Sequence, residues 1–327
     1  SQTFNTTLYT GINAINSVNT GIDLAGDGGL VWIKSRNNDN SSAHNIYDTA
    51  RGLNRPLSSH TTGGDYVAAN SLTSFNTTGF TVGDQDATNS PLDNFVAWTF
   101  KKQTKFFDIV TYNGDSSSGR MISHNLGSVP GMIIVKRTNG TGTWYVYHGD
   151  LGNTKNLYLN GTSAQATDGA WDNQSPTSTQ FGVSSGGPIN GTGEDFVAYI
   201  FAHNDSGDGG FGPTYDQDII SCGSLVSGTV QDINLGWEPQ FILYKNSSGT
   251  GSWNLFDAMR GMTTDGTGTY LQANNSNAEA TAGSQASPLA NGFRWNYTGN
   301  SGATFIYMAI RRGPLAPPTA ATEVFMP

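Results

Sequence analysis

Cysteine occurs once, at Cys222, so no disulfide can form within the chain and no cysteine-rich zinc site can assemble; a lone cysteine of this kind is expected as a small buried residue. Charge is scarce too. Asp, Glu, Lys and Arg make up 13% of the 327 residues, about half of the usual ~25% share. What charge there is leans negative, with a net value of −9, which argues against a nucleic-acid surface, because such surfaces draw affinity from Lys and Arg neutralising phosphates. Long apolar runs are missing. One of the best, FVAYIF at Phe196 to Phe201, falls far short of the ~20 residues a spanning helix needs, so no membrane insertion is expected. No nucleophile elbow, phosphate loop or dinucleotide fingerprint occurs, and the five histidines have no metal-ligand spacing. The sequence therefore predicts no catalytic group, no metal, no cofactor and no enzyme.

What the chain does have is repetition. LGSVPGMIIVK, Leu126 to Lys136, returns as LGWEPQFILYK, Leu235 to Lys245, and the same step carries Trp144 onto Trp253. A looser copy, GGLVWIK, ends at Lys34. Phe80 and Phe95 recur as Phe181 and Phe196 at one shared step. Three copies of a unit of roughly a hundred residues are the simplest reading, and a repeat governs every later inference about fold.

Glycine is abundant at 42 residues and is penalised inside helices, whereas Thr, Val, Tyr and Phe fill short segments separated by turn residues about every ten positions. The 16 Phe, 13 Tyr and 7 Trp supply enough large apolar side chains to exclude a disordered chain. The fold class expected is all-β: three tandem antiparallel β-sandwich repeats of jelly-roll or lectin-like type. Their bounds are set at 1–103, 104–204 and 214–312, with a Gly- and Asp-rich linker at 205–213 and a Pro-rich C-terminal arm at 313–327. DNFVAWTF, EDFVAYIF and ATFIYMAI are expected as closing core strands that bury Phe95, Phe196 and Phe305. The start at Ser1 and the Pro-containing end read as cut points of a longer product.

A shared activity would place the same reactive side chain in every unit. The recurrent polar residues are Lys34, Lys136 and Lys245, each ending an apolar strand and expected as a structural lysine, with Asp48 and Asp257 as the obvious partners. Asp48 and Asp257 are each followed three residues later by an arginine, Arg51 and Arg260, within reach of a local pair. The middle unit has His148 and Leu151 there instead, a pattern that suits a structural bridge and poorly suits catalysis. Asp205 and Asp208 resemble a fragment of a calcium loop, but the full ligand set is absent and a solvated linker is preferred. Trp144 and Trp253 are expected in the core. Trp171 and Trp237 each occur in a single unit and are the candidate glycan-binding aromatics.

NLGSVPGMIIVK followed by TGTWYVYH, LYLN and DFVAYIFAHN, with GSWNLFDAMRG and FIYMAIRRGP in the third unit, resembles a repeat of virion surface proteins of marine tailed phages, including those infecting cyanobacteria. The resemblance covers nearly all of the chain and is looser before Gly28. It implies a tail fibre, appendage or capsid-surface component with lectin-like sandwich modules and transfers no catalytic residue. The function expected is thus a non-enzymatic structural and adhesive protein at the virion surface, contacting other virion proteins and surface glycans. A homo-oligomer, a trimer if it is a fibre, is the expected assembly. The competing reading is a carbohydrate-binding region of a secreted bacterial adhesin or extracellular filament.

Overall fold

The computed structural model describes residues 3–37, 43–205, 207–212, 215–264, 267–282 and 285–313. It is nearly all-β, and every strand pairing described is antiparallel. Among the described residues helix is confined to one turn at Asp86–Asn89 and a 3-10 turn at Gly149–Leu151.

The first stretch supplies β1 (Phe4–Thr10), β2 (Asn16–Asn19), β3 (Gly29–Ser35), β4 (Asn45–Asp48), β5 (Leu57–Ser58), β6 (Leu72–Asn76), β7 (Gly79–Val82) and β8 (Asn94–Lys101). They form a large sheet in the order β1-β8-β3-β4-β5 and a small one in the order β2-β7-β6. Next come β9 (Phe107–Asn113), β10 (Arg120–Ser123), β11 (Pro130–Arg137), β12 (Tyr145–His148), β13 (Leu157–Tyr158), β14 (Gln180–Val183) and β15 (Asp195–Ala202). Their sheets run β13-β12-β11-β15-β9 and β10-β14. The last stretch gives β16 (Ile220–Val226), β17 (Gln231–Asn234), β18 (Pro239–Asn246), β19 (Asn254–Asp257), β20 (Gly268–Gln272), β21 (Ala280–Ala282), β22 (Ala286–Leu289), β23 (Gly292–Trp295) and β24 (Thr304–Arg311). These build β16-β24-β18-β19-β20-β21 and β17-β23-β22.

One winding order recurs in the three large sheets: opening strand, closing strand, then three strands in succession, to which the last sheet adds a fourth, β21. Opening and closing strands lie side by side, while the fourth and fifth strands extend the large sheet.

The strands at the middle of each large sheet are buried along nearly their whole length, β3 and β8 included. Because alternate side chains of a strand leave on opposite faces, such burial requires cover on both sides. Val31, Ile33, Phe95 and Ala97 join Phe80 and Val82 in a core under the small sheet. Their neighbours Leu30, Trp32, Val96, Trp98 and Phe100 enter a second core shared with Phe201 of β15 and with Phe241, Leu243 and Met308 of β18 and β24. Ile242, Tyr244, Phe305 and Tyr307 similarly face their own small sheet. In the shared core the Phe100 ring lies 5.6 Å from Phe201 and 6.1 Å from Phe241. Three large sheets thus meet face to face around one apolar centre. Each fully buried large side chain contributes about 1.5–3 kcal/mol. Phe95, Phe196 and Phe305 are buried, as the sequence predicts.

Residues 205–213, expected as a solvated linker, are folded back where they are described. Asn204 Oδ1 accepts from the Ile219 and Ile220 amides, the Asp218 carboxylate accepts from the Gly207 and Gly209 amides, and Phe211 is buried. Asp208 Oδ1 is taken by the Asp205 amide. The Pro-rich arm lies outside the described residues beyond Gly313.

Candidate functional site

The recurrent polar residues all lie where one large sheet meets the next. The three lysines occupy the third strand of their sheets and pair with Val96, Val197 and Ile306 of the closing strands. Each ammonium curls back to the carbonyl of the following residue: Lys34 to Ser35 at 2.8 Å, Lys136 to Arg137 at 2.7 Å, Lys245 to Asn246 at 2.8 Å. Lys136 also reaches Thr62 O at 3.2 Å, and Lys245 reaches Thr162 O at 3.0 Å, each on the preceding sheet's connector. Burial pushes the pKa of both Lys136 and Lys245 down to about 8, because a desolvated ammonium loses more hydration than two carbonyls return.

Around these lysines the same main-chain bond is made three times. Asp65 N donates to Thr138 O, Gln165 N to Ser247 O and Glu279 N to Arg36 O, each at 2.8 Å. The connector after the fifth strand of one sheet thus always docks on the end of the third strand of the next, and the last docks on the first. The three joints close a cycle among the three large sheets. Indole donors reinforce two joints: Trp144 Nε1 donates to Ser58 O at 3.0 Å and Trp253 Nε1 to Tyr158 O at 2.9 Å. At the third joint His44 stands in the corresponding place beside the Gln272 backbone, and Ser59 Oγ donates to Ala273 O at 2.6 Å.

A second contact ties each fourth strand to the closing strand of its neighbour. On β4, Asp48 Oδ2 accepts from Arg51 Nε at 2.6 Å and from the Tyr199 hydroxyl of β15 at 2.7 Å. On β19, Asp257 Oδ2 accepts from Arg260 Nε at 2.5 Å and from Trp98 Nε1 of β8 at 3.0 Å. On β12, His148 Nδ1 accepts from the Asp150 amide, which leaves Nε2 to donate to Tyr307 O of β24 at 3.1 Å. The local Asp–Arg pairs are therefore present, but Asp48 and Asp257 serve the arginines and a ring across the joint; Lys136 and Lys245 are held by main-chain oxygens. For Lys245 this replaces the expected partner Asp257 by two main-chain oxygens. It also explains the middle exception, since a neutral histidine reaches a main-chain carbonyl where an aspartate would repel it.

Burial lowers the pKa of His148, and burial together with the Lys34 and His60 charges lowers that of His44 well below its ordinary value. For Arg51, burial acts to lower the pKa, but Asp48, Tyr199 and Asp65 outweigh it and hold the guanidinium charged.

Trp171 and Trp237 are buried, at 2% and 5% exposure, and neither presents a face for stacking on a sugar. Asp172 and Asn173 adopt left-handed backbone conformations that turn the chain so Trp171 packs edge-on to Tyr147 at 5.7 Å. Trp237 belongs to the core under the third small sheet. Cys222 is buried, which pushes its thiol pKa up. Among the described residues no group of three His, Cys, Asp or Glu side chains is placed to hold a metal, and no helix is long and apolar enough to cross a membrane.

Sequence reasoning missed Trp98, Tyr199 and the paired His148–Tyr307 contact. Trp98, Tyr199 and Met308 are equivalent by register with the lysine strands, yet differ in type, so only a register-based comparison of closing strands would have aligned them. A model of a family described as a domain of unknown function, DUF7483, matches residues 1–314. No curated protein matches the chain.

Proposed function

The chain belongs to the DUF7483 family of domains of unknown function, and from that premise we propose that it is a non-enzymatic structural and adhesive module: three copies of one sandwich unit closed into a ring. Its place is the outside of a tailed-phage virion, as a fibre, appendage or capsid decoration, in contact with other virion proteins and surface glycans. The observation that carries this reading is the use of its recurrent polar groups. Lys136, Lys245, Asp48 and Asp257 are buried and hydrogen-bonded, so the features common to the units serve mechanical closure. A body closed on a pseudo-threefold axis is also a suitable mate for a threefold particle element.

Immunogold labelling of intact particles with antibodies against residues 1–313 tests the location. Label on the particle exterior is expected. Label on bacterial surfaces with none on particles would favour a secreted adhesin instead. Turnover of a polysaccharide by the purified chain would overturn the non-enzymatic reading. Mass measurement in solution tests the homo-oligomer, with a trimer expected for a fibre component.

A further inference from the structure

The chain bridges two of the three joints itself, running from β8 into β9 and from β15 into β16, whereas the third large sheet is tied back to the first by contacts alone. Those contacts differ in kind. At the other two joints an indole fills the position immediately before the fourth strand, Trp144 before β12 and Trp253 before β19. Its main-chain amide donates to an asparagine two residues beyond the fifth strand, Trp144 to Asn160 Oδ1 at 3.1 Å and Trp253 to Asn274 Oδ1 at 2.8 Å. The pairing register of fourth and fifth strands carries these two positions onto His44 and His60. A Trp–Asn pair that cannot titrate is thus replaced, at the third joint, by two histidines whose rings lie 6.4 Å apart.

His44 is fully buried and stacks on Trp98, with the ring planes 9° from parallel. Its Nδ1 accepts from Trp32 Nε1 at 2.8 Å, which only a neutral imidazole can do. Its Nε2 has no hydrogen-bond partner, and the Gln272 backbone lies beside the ring. His60 Nδ1 is buried and unpartnered as well. A second proton on His44 would go to Nδ1 and set an N–H against the indole N–H. The groups that face the ring carry or acquire the same sign of charge: Lys34 on β3, His60, and Arg260. Arg260 lies over the far ring, Trp98, at 5.2 Å and is itself held by Asp257 and Glu279. Burial, then Lys34, lowers the pKa of both histidines. His148, also fully buried at a joint, is placed differently: a proton added there leaves Nε2 on Tyr307 O and falls beside the Asp150 carboxylate.

We infer that the third joint is an acid-operated latch: protonation of His44 and His60 releases the connector that follows β20 from the first sheet while the two tryptophan joints stay closed. The part that lets go runs from Gln272 to Glu279. It is fastened by Ser59 Oγ donating to Ala273 O at 2.6 Å, by Glu279 N donating to Arg36 O at 2.8 Å, and by the Arg36–Glu279 ion pair at 2.7 Å. Both members of that ion pair are partly solvated, so it holds the connector only weakly. Phe4 and Phe100 pack on Phe241 across the same joint and carry no charge, so the sheets stay in contact when the connector leaves. The sign follows from folded pKa values that lie below the free one: closure is complete above about pH 6.5 and weakens as pH falls, by about tenfold per pH unit for each histidine that takes up its proton on opening.

Hydrogen exchange read by mass spectrometry on the full chain at about pH 7.5 and about pH 5, corrected for the intrinsic pH dependence of exchange, follows three equivalent amides: Glu279 at the latch, and Asp65 and Gln165 at the other joints. Glu279 should exchange at least about thirtyfold faster at the lower pH, the effect of one histidine about 1.5 pH units below its free value, with Asp65 and Gln165 unchanged. In the double variant His44→Gln/His60→Asn, whose amides accept hydrogen bonds without titrating, the rise should vanish. Each single variant, measured in case the double one does not fold, should lose part of it. No rise at Glu279, a rise shared by all three amides, or an undiminished rise in a folded variant would overturn the latch.

Discussion

At the scale of single residues, the joints are held by charges that have left water. Asp257→Ala leaves the Arg260 guanidinium, whose side chain is fully buried, without its nearest carboxylate, and should cost about 3–5 kcal/mol as uncompensated buried charges do. Urea denaturation measures it; a loss under about 1 kcal/mol would mean that Glu279, 3.9 Å from Arg260, replaces Asp257. Protonation gives a second expectation. His44 and His148 have folded pKa values below the ordinary one, so the unfolded chain takes up their protons first. Their contribution to stability is complete above about pH 6.5 and is lost as pH falls below it. Lys136 and Lys245, near 8 when folded against about 10.4 when unfolded, shed protons first in the folded state, so stability should rise from about pH 8 towards 10. Melting temperatures across both ranges check the signs. In the double variant Lys136→Met/Lys245→Met the upper rise should flatten; an undiminished rise would assign it to other groups.

At the scale of elements, the closing strands carry the greatest load because each is buried on two faces and paired on two edges. Phe196 sits on β15, is 1% exposed and stacks on Tyr112 at 5.2 Å. Phe196→Ala should cost about 3–5 kcal/mol, the usual loss for a large core aromatic, read from chemical denaturation. Periodicity announced these strands: DNFVAWTF and EDFVAYIF have bulky residues at successive positions, which is how a strand covered on both sides reads. What covers the second face was not legible. A small sheet and a neighbouring large sheet both present apolar side chains, so the demand for cover is written in the strand while the identity of the cover is not. Trp171 illustrates the converse, since a tryptophan in a polar turn reads as exposed until two left-handed residues fold it inward.

At the scale of the whole molecule, the ring makes the stretches dependent on one another. Residues 1–103 expressed alone would expose Trp32, Trp98 and Phe100, all of which lie in the shared core. That fragment should bind a hydrophobic dye and lack a cooperative melt, whereas the full chain should unfold in one calorimetric transition with equal van't Hoff and calorimetric enthalpies. Three separate transitions would show that the three stretches are independent and the joints weak.

The sequence by itself determined the strand-rich class, the recurrence of Lys34, Lys136 and Lys245, the Asp48–Arg51 and Asp257–Arg260 pairs, and the burial of the closing phenylalanines. All of these follow from local spacing or from the two-residue period of a strand, which a linear text preserves. Only the tertiary structure decided that the third joint returns to the first sheet. The bonds that close it, from Gln165 to Ser247 and Glu279 to Arg36 among them, run between main-chain groups that every residue carries, so no side-chain type marks them.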